Sequence, residues 1–165
     1  MKPRIIKTCL LLFFLLFLCG CYRNYDVYGY KKVEKYFNWG VVGAKLRGSE
    51  YRKGNTILKS SPYELFLWFG SEAPLEDNIY IKQIKLINKI TENVAFEKKN
   101  VSEQIIKEQK NFYRAYFSFE DIKMPYENME LQITFRLEQE DSSTEYKANL
   151  LFKKDHQKFR RIIGV

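Results

Sequence analysis

An antiparallel β-sandwich is the fold this sequence predicts, and three observations predict it. The first is a dominant period of two from Trp39 onward. Leu131, Ile133, Phe135 and Leu137 alternate with Gln132, Thr134, Arg136 and Glu138, the mark of a strand with one buried and one wet face. The second is punctuation: short polar, turn-forming stretches separate the apolar segments at regular intervals. The third is core material, since 12 Tyr and 13 Phe raise the aromatic content to 16%.

The N-terminal segment is set aside before the fold is argued. Lys2, Arg4 and Lys7, with no acidic residue among them, precede an apolar run from Thr8 to Gly20. That run is about 13 residues long, and crossing a hydrocarbon core takes roughly 20. It closes on two cysteines one residue apart. A redox pair takes two intervening residues, and a zinc site needs four ligands where no second cluster exists. Leu18, Cys19, Gly20 and Cys21 instead resemble the lipobox of bacterial lipoproteins. Cys19 stands where Ala, Ser or Thr is more usual, and its small apolar side chain suits that place. The resemblance implies that residues 1–20 are a signal peptide, that a diacylglyceryl group joins the sulfur of Cys21, and that cleavage falls between Gly20 and Cys21. Tyr22, rather than Asp, follows that cysteine. By the same resemblance this implies an outer-membrane lipoprotein facing the periplasm in a Gram-negative cell, and otherwise the outer face of the plasma membrane.

Processing alters the composition. Removing Lys2, Arg4 and Lys7 from the 28 basic residues leaves 25 against 20 acidic ones, so the net charge falls from +8 to +5. All three cysteines lie at or before Cys21. The mature domain therefore has no free thiol and can form no disulfide. About 145 residues remain, enough for one domain with a single core.

The lipidated N-terminal segment, 21–38, is rich in Tyr and Lys and contains no long Ser/Gly/Pro tether, which leaves the folded body close to the bilayer. Its tyrosines are expected to pack on the domain in preference to the lipid interface, the other place that favours such rings. A single β-sandwich domain is expected over 39–165. Its strands begin with short candidates at Val41 to Arg47 and Thr56 to Lys59. Tyr63 to Gly70, a denser apolar run, suggests a central strand covered on both faces. Ile79 to Ile90 alternates but changes phase around Gln83, the signature of a bulge. Val94 to Lys98 is another short candidate. Asn100 and Glu103 have capping-box spacing for one short helix near 101–110.

Tyr113, Ala115, Phe117 and Phe119 supply a half-buried strand. The alternation over 131–137 is matched by Tyr146, Ala148, Leu150 and Phe152, with the polar "EQEDSSTE" between them, so the two read as an antiparallel hairpin. Phe159 to Ile163 ends the series. Roughly seven to nine punctuated strands indicate a sandwich, immunoglobulin-like or related, with a closed β-barrel as the alternative.

Candidate chemistry is sparse. His156 is the one histidine. It adjoins Asp155, and neighbours on a strand or turn point apart, so a hairpin tip between Phe152 and Phe159 is the natural reading and no triad follows. With one His and no free Cys, the usual zinc and copper ligand sets are missing. The acidic pairs Glu76-Asp77, Glu120-Asp121 and Glu140-Asp141 read as solvated turn charges, although carboxylates held about 5 to 10 Å apart can cleave glycosides. No Gly-rich phosphate loop, nucleophile elbow or internal repeat is present. No catalytic residue, metal or cofactor is expected, and the protein reads as a non-enzyme.

The most concentrated charge of the mature chain is Lys153, Lys154, Lys158, Arg160 and Arg161. Such a cluster can neutralise phosphates, but an exported lipoprotein seldom meets nucleic acid. It reads as a charged edge strand guarded against aggregation, or as an interaction surface for an acidic partner or anionic head groups. The expected role is a membrane-anchored lipoprotein that binds a protein partner as an assembly component of an envelope complex. The alternative is an immunity or inhibitor lipoprotein that neutralises a periplasmic toxin or hydrolase. An enzyme or small-ligand carrier would need a cleft that the sequence does not advertise.

Overall fold

The computed structural model describes residues 22–72, 79–102, 105–109, 112–139 and 142–162. The expected signal peptide 1–20 and the lipid-attachment residue Cys21, with cleavage after Gly20, lie outside the described residues, as do Glu76, Asp77, Glu140 and Asp141. In chain order the strands are β1 (Tyr22–Tyr30), β2 (Val33–Phe37), β3 (Gly40–Lys53), β4 (Thr56–Ser71), β5 (Ile79–Asn88) and β6 (Val94–Val101). They continue with β7 (Ile105–Gln109), β8 (Phe112–Ile122), β9 (Met129–Gln139), β10 (Ser142–Phe152) and β11 (Lys154–Ile162).

These strands make two sheets packed as a β-sandwich. The larger runs β11-β1-β4-β3-β2, with β8 paired to β4 and β7 to β8; the smaller runs β10-β9-β5-β6. Both sheets keep open edges, so the barrel alternative is not realised. The core comes from alternate residues on facing strands. The larger sheet contributes Val42, Ala44 and Leu46 from β3, Tyr63, Leu65, Leu67 and Phe69 from β4, and Ala115, Phe117 and Phe119 from β8. The smaller sheet answers with Ile81, Ile84 and Leu86 of β5, Leu131, Ile133 and Phe135 of β9, and Ala148, Leu150 and Phe152 of β10. Phe69 and Phe135 meet edge-to-face with centroids 4.9 Å apart.

Several expectations are met in detail. The hairpin of β9 and β10 is antiparallel, with Phe135 opposite Tyr146 and Ile133 opposite Ala148. The phase change at Gln83 is a register shift between Ile81 and Gln83 against β9. Tyr63 to Gly70 is central, but as part of a longer strand that also absorbs Thr56 to Lys59. Its outer face is only half covered: Trp68 lies flat over Gly43, and the Arg47 guanidinium sits 4.8 Å from the Phe66 ring centroid.

Three expectations are corrected. No helix near 101–110 is found among the described residues; β6 runs through Val101, and Ile105–Gln109 is a strand paired with β8. Asn100 has φ 55°, whereas an N-cap residue needs extended dihedrals. Ten residues are also too few to hold a helix without packing, and Ile105 and Ile106 find ladder partners in Tyr116 and Ala115. Glu103 itself lies outside the described residues.

Segment 21–38 is not separate from the domain beginning at 39. From Tyr22 onward it supplies β1 and β2, both strands of the larger sheet, and Tyr30 packs against the core cluster. Its irregular look has a physical source: among its described side chains β1 adds no fully buried hydrophobic, so no alternation is imposed on it.

Finally, Asp155-His156 is not a hairpin tip. β10 ends at Phe152, and Lys153 alone links it to β11, which leaves the smaller sheet and pairs with β1 from Tyr22↔Ile162 to Tyr30↔Lys154. The segment is polar because it forms a wing outside the core.

Candidate functional site

The wing of β1 and β11 is held to the body by backbone pairing and by a short bridging segment. β1 runs parallel to the start of β4, with Val27 beside Ile57, while β4 continues past it to pair with β8. Tyr126 closes the junction. Its hydroxyl lies 2.9 Å from the carbonyl oxygens of both Gly29 and Asp155 and accepts the Asp155 N–H at 3.1 Å. Asn128 Oδ1 accepts the Lys154 N–H at 2.9 Å, and the Tyr30 hydroxyl donates to the Glu127 carbonyl at 2.5 Å.

Where the wing meets the β3–β4 hairpin the surface forms a groove of 670 Å³, within the range of ligand and peptide clefts. Tyr25, Val27, Ile57 and Phe159 provide its apolar lining. Register explains their company, because Tyr25 stands opposite Phe159, Val27 opposite Gln157, and Gly29 opposite Asp155. Phe159 is 49% exposed, so an aromatic face is available to a partner.

Charge around the groove is unbalanced. Lys45, Arg47, Arg52, Lys59 and Arg160 line it against two acids, Glu50 and Asp155. Glu50 is engaged by Lys59 and by Arg52 at 3.0 Å; those hydrogen bonds, Lys59 first, hold its carboxyl below the usual value. Asp155 accepts from Gln157 at 2.6 Å and pairs with Lys31 at 3.2 Å. Five cations against two anions leave the groove with a net charge of +3, which favours an acidic or anionic partner.

The basic residues singled out from the sequence do not form one patch. Lys153 is the junction residue, and Lys154 binds Glu127 at 2.8 Å. Lys158 is exposed opposite Asp26, Arg160 lines the groove, and Arg161 stands opposite Arg23 in the ladder, its side chain outside the described residues. From Lys153 to Arg161 the strand covers about 26 Å. The groove's other cations, on β3 and β4, were not singled out. Their signal was the recurrence of Lys and Arg between Lys45 and Lys59, hidden because acidic and apolar residues interrupt it.

His156 pairs across the ladder with a residue 130 positions away: its Nε2 lies 2.7 Å from Asp26 Oδ1, and its ring stacks on Tyr28 with centroids 4.6 Å apart. These partners make it a tie between β1 and β11. Glu120 and Asp121 are exposed near the end of β8, Asp121 with φ 57°. No group of three or more His, Cys, Asp or Glu suited to a metal ion occurs among the described residues. No helix among them is long and apolar enough to cross a membrane. Comparison with protein-family models, with curated proteins and with solved structures finds no match to this chain.

Proposed function

We propose that this protein is a lipoprotein of the cell envelope, anchored through Cys21 and facing the periplasm from the outer membrane, whose β-sandwich binds another envelope protein as part of an assembly. The observation that carries the binding role is the groove between the wing and the β3–β4 hairpin, with an apolar lining and three cations in excess of its acids. An exposed aromatic inside a charged rim is the usual composition of a docking surface. The partner that suits it is an acidic segment with apolar side chains. The anchor reading rests on the resemblance of Leu18, Cys19, Gly20 and Cys21 to a lipobox.

Two measurements test the proposal. Cys21→Ala should abolish acylation of the protein while leaving its circular dichroism unchanged; wild-type protein without the acyl mass would sink the anchor reading. Affinity capture from cross-linked envelopes, with wild-type and Lys45→Glu/Arg47→Glu baits, tests the groove. Envelope-machine subunits should be recovered by the wild type, and the charge reversal should weaken capture about tenfold, or ~1.4 kcal/mol. Equal capture by both baits would rule out the groove. Recovery of a single toxin or hydrolase would replace assembly by immunity.

A further inference from the structure

Three segments far apart in sequence converge at the corner of the larger sheet next to Cys21. β1 pairs with β4 only from Asp26↔Thr56 onward, so residues 22–25 run beside the β3–β4 turn, and Arg23 Nε donates to Asn55 Oδ1 at 2.5 Å. On the other side β11 brings its C-terminal half, with Arg160 opposite Asn24 and Arg161 opposite Arg23. Arg23, Arg52, Lys53, Lys158 and Arg160 thus lie on strands that end at one corner. Among the described residues the acids nearby are two, Asp26, which lies 2.7 Å from His156, and Glu50, held by Lys59 and by Arg52 itself, so the five cations outnumber them by three. Tyr51 and Phe159, 59% and 49% exposed, add amphipathic and apolar surface.

From this convergence we infer that the corner docks on an anionic lipid surface, so that the protein adheres to the bilayer through its fold as well as through its anchor. The inference rests on the lipoprotein reading above and deepens it. Arg23 is two residues from Cys21, at most about 7 Å of extended chain, so acylation of Cys21 holds this corner within the head-group layer. Lys and Arg held there gain from the negative surface potential, an attraction that fades within a Debye length of about 8 Å. Aromatic rings with a polar tip are favoured at the same depth. Arg52, Phe159 and Arg160 belong to both the corner and the groove, so on the bilayer a protein partner is left Lys45, Arg47 and Lys59.

The acylated protein, purified from envelopes, is the material for the test. Its intact mass reads the anchor first; a mass without the acyl group overturns the lipoprotein reading and this inference with it. The protein is then reconstituted into vesicles of phosphatidylcholine alone or with added phosphatidylglycerol, and amide hydrogen exchange is followed. Exchange at residues 54–56 and 158–160 should be several-fold slower on the anionic vesicles. High salt, or the Lys53→Glu/Lys158→Glu pair of exposed substitutions, should remove the difference. Equal exchange on both vesicles, in a protein that carries the acyl mass, overturns the docking inference alone. Slowing by polyglutamate but not by anionic vesicles would overturn it too, and assign the corner to an acidic protein.

Discussion

Gly43 carries no side chain because Trp68 fills the space that one would need: a Cβ there would stand 2.1 Å from Trp68 Cε2. Gly43→Ala should therefore expel the indole and lower the denaturation midpoint, by about 1–3 kcal/mol for an overpacked site. Phe69 presents the opposite situation. It is fully buried and its ring meets Phe117, Phe135 and Trp39, so Phe69→Ala should cost about 3–5 kcal/mol in a denaturant titration. Trp39 is different again. Its indole N–H is buried without an acceptor among the described residues, and such a donor carries a desolvation penalty of about 1–3 kcal/mol. Trp39→Phe keeps most of the stacking and removes the orphan donor, so its stability should stay within about 1 kcal/mol of wild type; a loss as large as that of Phe69→Ala would contradict this account.

The strands whose side chains enter the core were legible in the sequence, whereas of the wing only the end of β11, from Phe159, was. β8, β9 and β10 bury every second residue, and burial imposes the period of two on the chain. β11 lies outside the core, so Asp155, His156 and Gln157 carry no such imprint and resemble a turn. What makes them a strand is pairing with β1, more than a hundred residues earlier, together with the Tyr126 hydroxyl at the junction. Tyr126→Phe should cost about 1–2 kcal/mol through the lost hydrogen bonds. It should also raise amide exchange at Asp155 and Gly29 while leaving β9 and β10 protected. Uniform loss of protection would mean that the wing and the sandwich unfold as one unit. The groove was illegible for the same reason, because its lining comes from β1, β3, β4 and β11.

For the molecule as a whole, buried phenols set the alkaline limit of stability. Burial pushes Tyr63, 1% exposed, from 10.0 up to about 12, and raises Tyr30 and Tyr126 in the same direction. Below pH 10 the phenols are neutral whether the chain is folded or not, so this contribution is fully present. Between pH 10 and 12 the unfolded chain ionises first and stability falls, on the order of 3 kcal/mol for Tyr63 alone. A denaturation midpoint flat from pH 10 to 12 would contradict the burial of this cluster. Glu50 and Glu130 act at the other extreme. Hydrogen bonds from Lys59 and Lys89 lower their carboxyls below 4.5, so their stabilisation is present above that value and fades as pH falls beneath it. It is small, because both pairs are at the surface. Composition and alternation alone were enough to decide that this chain is a two-layer β protein, because burying one face of a strand writes its period into the residues themselves. They could not decide which strands pair beyond the β9–β10 hairpin, that the chain crosses from one sheet to the other at Lys153, or that the strand ends carrying Arg23, Lys53 and Arg160 come to one corner. Those outcomes depend on contacts between distant segments, and a backbone hydrogen bond leaves no mark on side-chain identity.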